Sequence, residues 1–248
     1  MLRRIALAVL LTLTAASSQS AEIKVLGAGP VEHVFKDIAV AFARDTGHKV
    51  EGEFNTVGFI QDKLKKGEKA DILILSDKVM EEMEKSGAIV AGSRIEIGRA
   101  SAGFAVRAGA SAPDISSAEA MKRTLIAARS VSYVDPAGGG STGIHFARVL
   151  ERLGIADEVN KKAIRPQRGS QVADAVADGR AEIGNTNLTE LVPHKGVRVI
   201  GLLPDPYGLV IPYVAGVTAA SASKEAARSF IVALTSPAAR EKFKAAGL

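Results

Sequence analysis

Short apolar runs that end in a glycine- or hydroxyl-bearing junction and pass at once into an amphipathic helix recur along this chain, and that alternation restricts its fold more than any other feature. The clearest instance is Tyr133-Val134-Asp135-Pro136-Ala137-Gly138-Gly139-Gly140-Ser141-Thr142-Gly143-Ile144-His145. The run from Ser130 to Val134 ends in Asp-Pro, crosses three consecutive glycines and opens a helix whose Phe146, Val149, Leu150 and Leu153 fall at i, i+3, i+4 and i+7. The glycines let the backbone turn with its N–H groups facing one point. Ser141 or Thr142 can cap a helix whose first amides and dipole favour a negative ligand. Anion capture is therefore the first functional hypothesis, beside the plain alternative that the glycines only join strand to helix.

The same logic runs through the first part of the chain. Ile23 to Leu26 reads as a strand, Gly27-Ala28-Gly29-Pro30 as a junction, and Val31, Val34, Phe35, Ile38 and Phe42 as one face of a helix ending near Gly47. Lys49 to Phe54 alternates like a strand before Asn55 or Thr56 caps a helix carrying Ile60 and Leu64. Asp71 leads into Ile72-Leu73-Ile74-Leu75, an apolar run of the kind buried in a parallel sheet, and Ser76-Asp77 opens a helix with Val79, Met80 and Met83. This β-α-β-α-β-α order implies a parallel sheet covered by helices.

Two strands, Arg94 to Ile97 and Gly103 to Val106, surround Gly98-Arg99-Ala100-Ser101 and lead to a second α/β unit. It comprises a helix from Ser117 to Ala127, the strand and glycine loop above, a strand at Ala163 to Pro166, and Gln167-Arg168-Gly169-Ser170 ahead of a helix with Val172, Ala175 and Val176. Ala181 to Gly184 then runs into Asn185-Thr186-Asn187, and Val197 to Leu203 forms another strand. Val210 to Val217, with Pro212 inside it, suits a crossing segment or an edge strand. Helices over Lys224–Leu234 and Pro237–Ala246 close the chain.

Arg3 and Arg4, the apolar run Ile5 to Leu13 and the small residues up to Ala21 read as an export signal, cleaved after Ser20 or Ala21. The expected mature protein is exported, with a periplasmic location and no tether. The absence of cysteine excludes a disulfide framework and a thiolate metal site, and no pair of histidines has metal spacing, so neither a metal nor a cofactor is expected. Without Arg3 and Arg4 the 32 Lys and Arg fall by two against 27 Asp and Glu, a net +3 that is spread too evenly for nucleic acid. No tryptophan is present to build a stacking platform.

The order and spacing of several segments resemble the periplasmic solute-binding proteins of ABC importers, of the type II, molybdate-binding-like group. They are Ala70 to Asp77, Met83 through Gly87-Ala88-Ile89, Asp135-Pro136 with the glycine loop, and Leu150 through Leu153-Gly154-Ile155. Gln171-Val172 through Val176, Gly179 to Gly184, and the closing pattern Ala227 through Phe230, Ser236-Pro237 and Phe243 to Gly247 complete the match. The resemblance implies an α/β, two-lobed fold, each lobe a mainly parallel sheet flanked by helices, with residues 22–98 and 213–248 forming one lobe and 99–212 the other. It also implies an inner-membrane ABC permease as partner, action as a monomer, and hinge changes around Gly98, Gly103 and Gly216. One departure matters: where molybdate binders of the group offer small hydroxyl residues after the first two strands, this chain has Gly27-Ala28-Gly29-Pro30 and Asn55-Thr56-Val57-Gly58. Pro30 also removes an amide donor. The ligand expected is a small anion, and the missing serine favours a carboxylate over molybdate.

In such an architecture ligand groups sit at strand carboxyl ends and helix starts. Gly29, Asn55, Thr56 and Ser76 are then expected on one wall of the cleft, and Ser141, Thr142, His145, Arg168, Ser170 and Asn187 on the other. Arg168 can grip a carboxylate through two parallel hydrogen bonds, and Arg99 is a weaker second candidate. His33 and His145 have charged neighbours at i+3, Lys36 and Arg148, which equally suit solvated faces. A second reading puts an enzyme on the same scaffold, since aconitate isomerases are similar to this group. Moving an allylic proton on a tricarboxylate needs a base that titrates near neutrality, for which His33, His145 and Glu32 are the candidates.

Overall fold

The computed structural model describes residues 20–248; the expected export signal lies, but for Ser20 and Ala21, outside the described residues. Strand β1 (Glu22–Ala28) leads through a short 3-10 turn into α1 (Glu32–Thr46), followed by β2 (Lys49–Asn55), α2 (Val57–Lys65), β3 (Ile72–Ser76) and α3 (Asp77–Lys85). Strand β4 (Ile95–Arg107) opens the second unit, with α4 (Ala118–Ala127), β5 (Val131–Tyr133), α5 (Ser141–Arg152), α6 (Ala156–Asn160), β6 (Ala163–Ile164) and α7 (Gly169–Ala177). After β7 (Ile183–Asn187), α8 (Leu188–Leu191), β8 (Val197–Leu202) and β9 (Val210–Val217), helices α9 (Lys224–Leu234) and α10 (Pro237–Ala245) end the chain.

The strands run in the order β2-β1-β3-β9-β4-β7-β5-β6, with β8 paired to β4. β1 is parallel to β2 and β3, and β5 is parallel to β6 and β7, as the β-α alternation requires. β4 is the strand that passes between the two halves. Its first part pairs antiparallel with β9, from Ile95↔Ala215 to Ser101↔Val210, and its second part pairs with β7 and β8. Sequence patterning predicts two strands here, separated by Gly98 to Ser101, whereas the structure has one. Gly98 to Ser101 keep extended pairing because β9 runs beside them, placing Pro212 opposite Arg99.

Two main cores result. In the first, Val25 and Leu26 of β1, Phe35 and Phe42 of α1, Ile72 to Leu75 of β3, and Phe230 and Phe243 of the closing helices are buried together. Phe230 stands edge-on to Phe35 and Phe42, with ring centroids 5.4 and 5.1 Å apart, so α9 returns to the first lobe. The second core joins Phe104, Met121, Leu125, Tyr133, Phe146 and Leu150, with Tyr133 and Phe146 edge to face at 5.1 Å. No helix among the described residues is long and apolar enough to cross a membrane.

Candidate functional site

Between the lobes the strand-to-helix junctions meet at one cavity of about 30 Å³. Gly29 and Pro30 follow β1, Asn55 and Thr56 follow β2, Ser141 and Thr142 begin α5, and Arg168 and Gly169 begin α7. The first-turn amides of α2, α5 and α7 have no carbonyl within their own helix to bond, and the three dipoles present positive ends to the space. By the rule that about 10–15 Å³ of such space holds one water, 30 Å³ admits the oxygens of a carboxylate or a small oxyanion and little more.

The lobes are closed on each other by polar contacts at the rim of this cavity. Thr56 Oγ1 accepts from Phe59 N–H at 3.3 Å, capping α2, and donates across the cleft to the Gly138 carbonyl at 2.6 Å. Asn55 Oδ1 accepts the Thr56 N–H at 2.8 Å, which leaves its NH2 as the donor end. Gly58 N–H donates to the Gly139 carbonyl at 3.2 Å, and the two backbones approach so nearly that a Cβ on Gly58 would fall 2.7 Å from Gly139 Cα. On the other side Arg168 Nη2 bonds Glu32 Oε2 at 2.5 Å, linking the start of α7 to the start of α1.

Of the residues expected from sequence, Gly29, Asn55, Thr56, Ser141, Thr142, Arg168 and Asn187 line the cavity. Ser170 lines an adjoining outer pocket of about 290 Å³, together with Glu32, His33, Lys36 and His194; Gly29, Arg168 and Glu190 line both spaces. Ser76 and His145 do not line the cavity. Ser76 ends β3 at the register position opposite Tyr213, and it is Tyr213 that fills the wall there. His145 sits a turn down α5, where its Nε2 meets the Tyr207 carbonyl at 2.8 Å and ties the helix to the β8–β9 loop. Arg99 pairs with Glu96 at 2.9 Å on an exposed surface.

Sequence reading missed Glu190 and Tyr213. Glu190 lies on α8, three residues after Asn187, and its Oε2 accepts from Thr186 Oγ1 at 2.7 Å and from Asn187 Nδ2 at 3.3 Å. The chain makes room for this carboxyl: a Cβ on Gly169 would lie 1.9 Å from Oε2, and one on Gly29 would lie 3.0 Å from Oε1. Glu190 keeps partial access through the outer pocket, yet burial of its carboxyl pushes its pKa above the ordinary glutamate range, against the opposing hydrogen bonds of Thr186 and Asn187 and the charge of Arg168. Tyr213 is 1% exposed, and burial, with the nearby Glu190 charge, pushes its phenol far up, so it stays neutral. The signal available in sequence was the Asn187-x-x-Glu190 spacing, which reads as an ordinary helix start.

A cleft bounded by helix ends, between two α/β lobes connected by crossing strands, defines a two-lobed solute-binding protein. The family model of bacterial extracellular solute-binding proteins matches residues 23–248, and the chain belongs to that family. It is 30% identical to the aconitate isomerase of Pseudomonas sp. over 91% of this chain and 87% of that protein. It is 28% identical to the molybdate-binding protein ModA of Azotobacter vinelandii over 99% of this chain and 97% of that one. The solved periplasmic molybdate-binding protein of Azotobacter vinelandii superposes with a TM-score of 0.72 at 22% identity, covering 91% of this chain and 97% of that one.

Proposed function

We propose that this chain is a periplasmic receptor that closes its lobes on a small anion and delivers it to an ABC-type permease of the inner membrane, and that the anion is a carboxylate in preference to molybdate. The observation that carries this reading is the convergence of the α2, α5 and α7 N-termini on a cavity of about 30 Å³. Closure removes water from that space and strengthens each charge-assisted contact. The junction after β1 offers Gly29 and Pro30 rather than a hydroxyl, which favours a ligand needing fewer donors than a tetrahedral oxyanion.

A second reading, an isomerase moving an allylic proton on a tricarboxylate, is favoured by the Glu190 carboxyl in the cavity wall and by the similarity to aconitate isomerase. In it Glu190, rather than His33, His145 or Glu32, is the base, because its carboxyl alone of these stands in the cavity wall and burial raises its pKa above the ordinary glutamate value. A thermal-shift series of the mature chain against molybdate, tungstate, sulfate, phosphate and di- and tricarboxylates tests both, since a ligand of the folded state raises the melting temperature. Stabilisation by a carboxylate that NMR finds unchanged over hours is the expected result. Conversion of cis- to trans-aconitate replaces it with the isomerase, and stabilisation by molybdate restores the plain oxyanion receptor.

A further inference from the structure

The cavity has two chemically opposite sides. The α5 first turn supplies N–H donors, the Gly58 and Phe59 amides of α2 being taken by the Gly139 carbonyl and Thr56 Oγ1, whereas the α8 side presents the Glu190 and Asn187 oxygens as acceptors. The two side-chain hydrogen bonds to the Glu190 carboxyl, from Thr186 and Asn187, fall on Oε2, and Oε1, on the Gly29 side, takes neither. Asn187 is 5% exposed, and its Oδ1 is buried without a hydrogen-bond partner among the described residues. The Arg168 guanidinium, whose charge reaches the carboxyl, spends its Nη2 on Glu32 of the other lobe. With Glu190 ionised, a fully deprotonated oxyanion placed here has an acceptor facing an acceptor, an arrangement that leaves buried polar groups unpaired.

We infer that Glu190 and Asn187 form a specificity wall that selects an anion carrying its own O–H, either a protonated oxyanion or a hydroxy acid, with that hydroxyl donating to Glu190 Oε1 or Asn187 Oδ1. This deepens the receptor reading and rests on it. Unprotonated tetrahedral ions such as sulfate and molybdate are rejected by the same wall, whatever their size. Glu190 is a residue of ligand choice here, and no bond is made or broken at it.

The test is a calorimetric titration of wild type and Glu190→Gln with two pairs that differ in an O–H, sulfate against inorganic phosphate, which keeps at least one proton near neutrality, and acetate against glycolate. Wild type is expected to favour the O–H-bearing member of at least one pair by about tenfold or more, since a site built to pair a hydroxyl rejects the analogue lacking it. Glu190→Gln, whose amide can donate as well as accept, is expected to bring that ratio below about threefold, with sulfate or acetate gaining affinity. A preference confined to the phosphate pair identifies a protonated oxyanion, and one confined to the glycolate pair a hydroxy acid. Equal affinities within both pairs in wild type, or a ratio unchanged in Glu190→Gln, overturn the inference while leaving an anion receptor in place. No binding of any of these or of the carboxylates above overturns the receptor reading and the inference together.

Discussion

Gly58 at the start of α2 and Gly139 in the loop before α5 touch backbone to backbone, 81 positions apart in sequence and on opposite lobes, with the Gly58 N–H donating to the Gly139 carbonyl at 3.2 Å. Side chains are excluded from this contact: a Cβ on Gly58 would lie 2.7 Å from Gly139 Cα, and one on Gly139 would lie 2.6 Å from Gly58 Cα. The closed state of the cleft therefore includes a contact between two residues that bring no side chain of their own.

Gly58→Ala separates closure from folding. Gly58 is helical, so alanine suits α2 locally and favours the helix by about 0.5–1 kcal/mol. Against the Gly139 backbone the added methyl acts as a wedge, and overpacking of about 1–3 kcal/mol corresponds to roughly a 5- to 150-fold loss of ligand affinity. Calorimetry with the stabilising anion, beside the melting temperature of the ligand-free protein, is expected to find weaker binding and unchanged or higher stability.

Arg168 and Glu32 distinguish a grip from a latch. Arg168 lines the cavity and also bonds Glu32. If it grips the ligand, Arg168→Ala lowers affinity by about tenfold or more, the scale of a charge-assisted hydrogen bond, and the lobes stay folded. Glu32→Gln removes only the partly exposed bridge, worth no more than about 1 kcal/mol or roughly fivefold. Equal losses in the two variants assign Arg168 to the latch alone.

Glu190 carries a pH signature. Because burial raises its folded pKa above the ordinary value of 4.5, the folded protein holds this proton more tightly than the unfolded chain, and the group's contribution to stability falls as pH rises through the folded pKa. Glu190→Gln is thus expected to melt higher than wild type at pH above that folded value, with the difference shrinking as pH falls towards the ordinary glutamate range. Melting curves across acidic to neutral pH check this; a constant difference contradicts it.

Phe230 anchors the closing helices to the first lobe. It is 0% exposed and stacks edge-on against Phe35 and Phe42, so Phe230→Ala should cost about 3–5 kcal/mol in denaturant unfolding. A loss below about 1 kcal/mol means that α9 does not complete this core.

The fold was legible because the hydrophobic periods are local. The i, i+3, i+4 stripe of Phe146, Val149 and Leu150 and the run Ile72 to Leu75 each name their element without knowledge of the rest. The unity of β4 was hidden, because Gly98 to Ser101 look like a break until β9 is laid beside them. The cavity wall was legible at several strand-to-helix junctions, as at Asn55, Thr56 and Ser141, but not at Ser76, whose place is taken by Tyr213. Glu190 was not, since nothing in a four-residue helix announces that Gly29 and Gly169, far away in sequence, leave space for its carboxyl. His145 failed for the opposite reason: it belongs to the right helix but bonds the Tyr207 carbonyl.

The claim that the cavity takes a small anion is tested most directly by a crystal structure of the mature chain grown with whichever anion raises its melting temperature. That anion is expected between the first turn of α5 and Asn55, its oxygens about 2.7–3.2 Å from the Ser141 or Thr142 amides, with Gly58 and Gly139 in contact as they are here. Density for the anion outside this cavity, or a cavity holding only water while the protein is saturated with ligand, contradicts it.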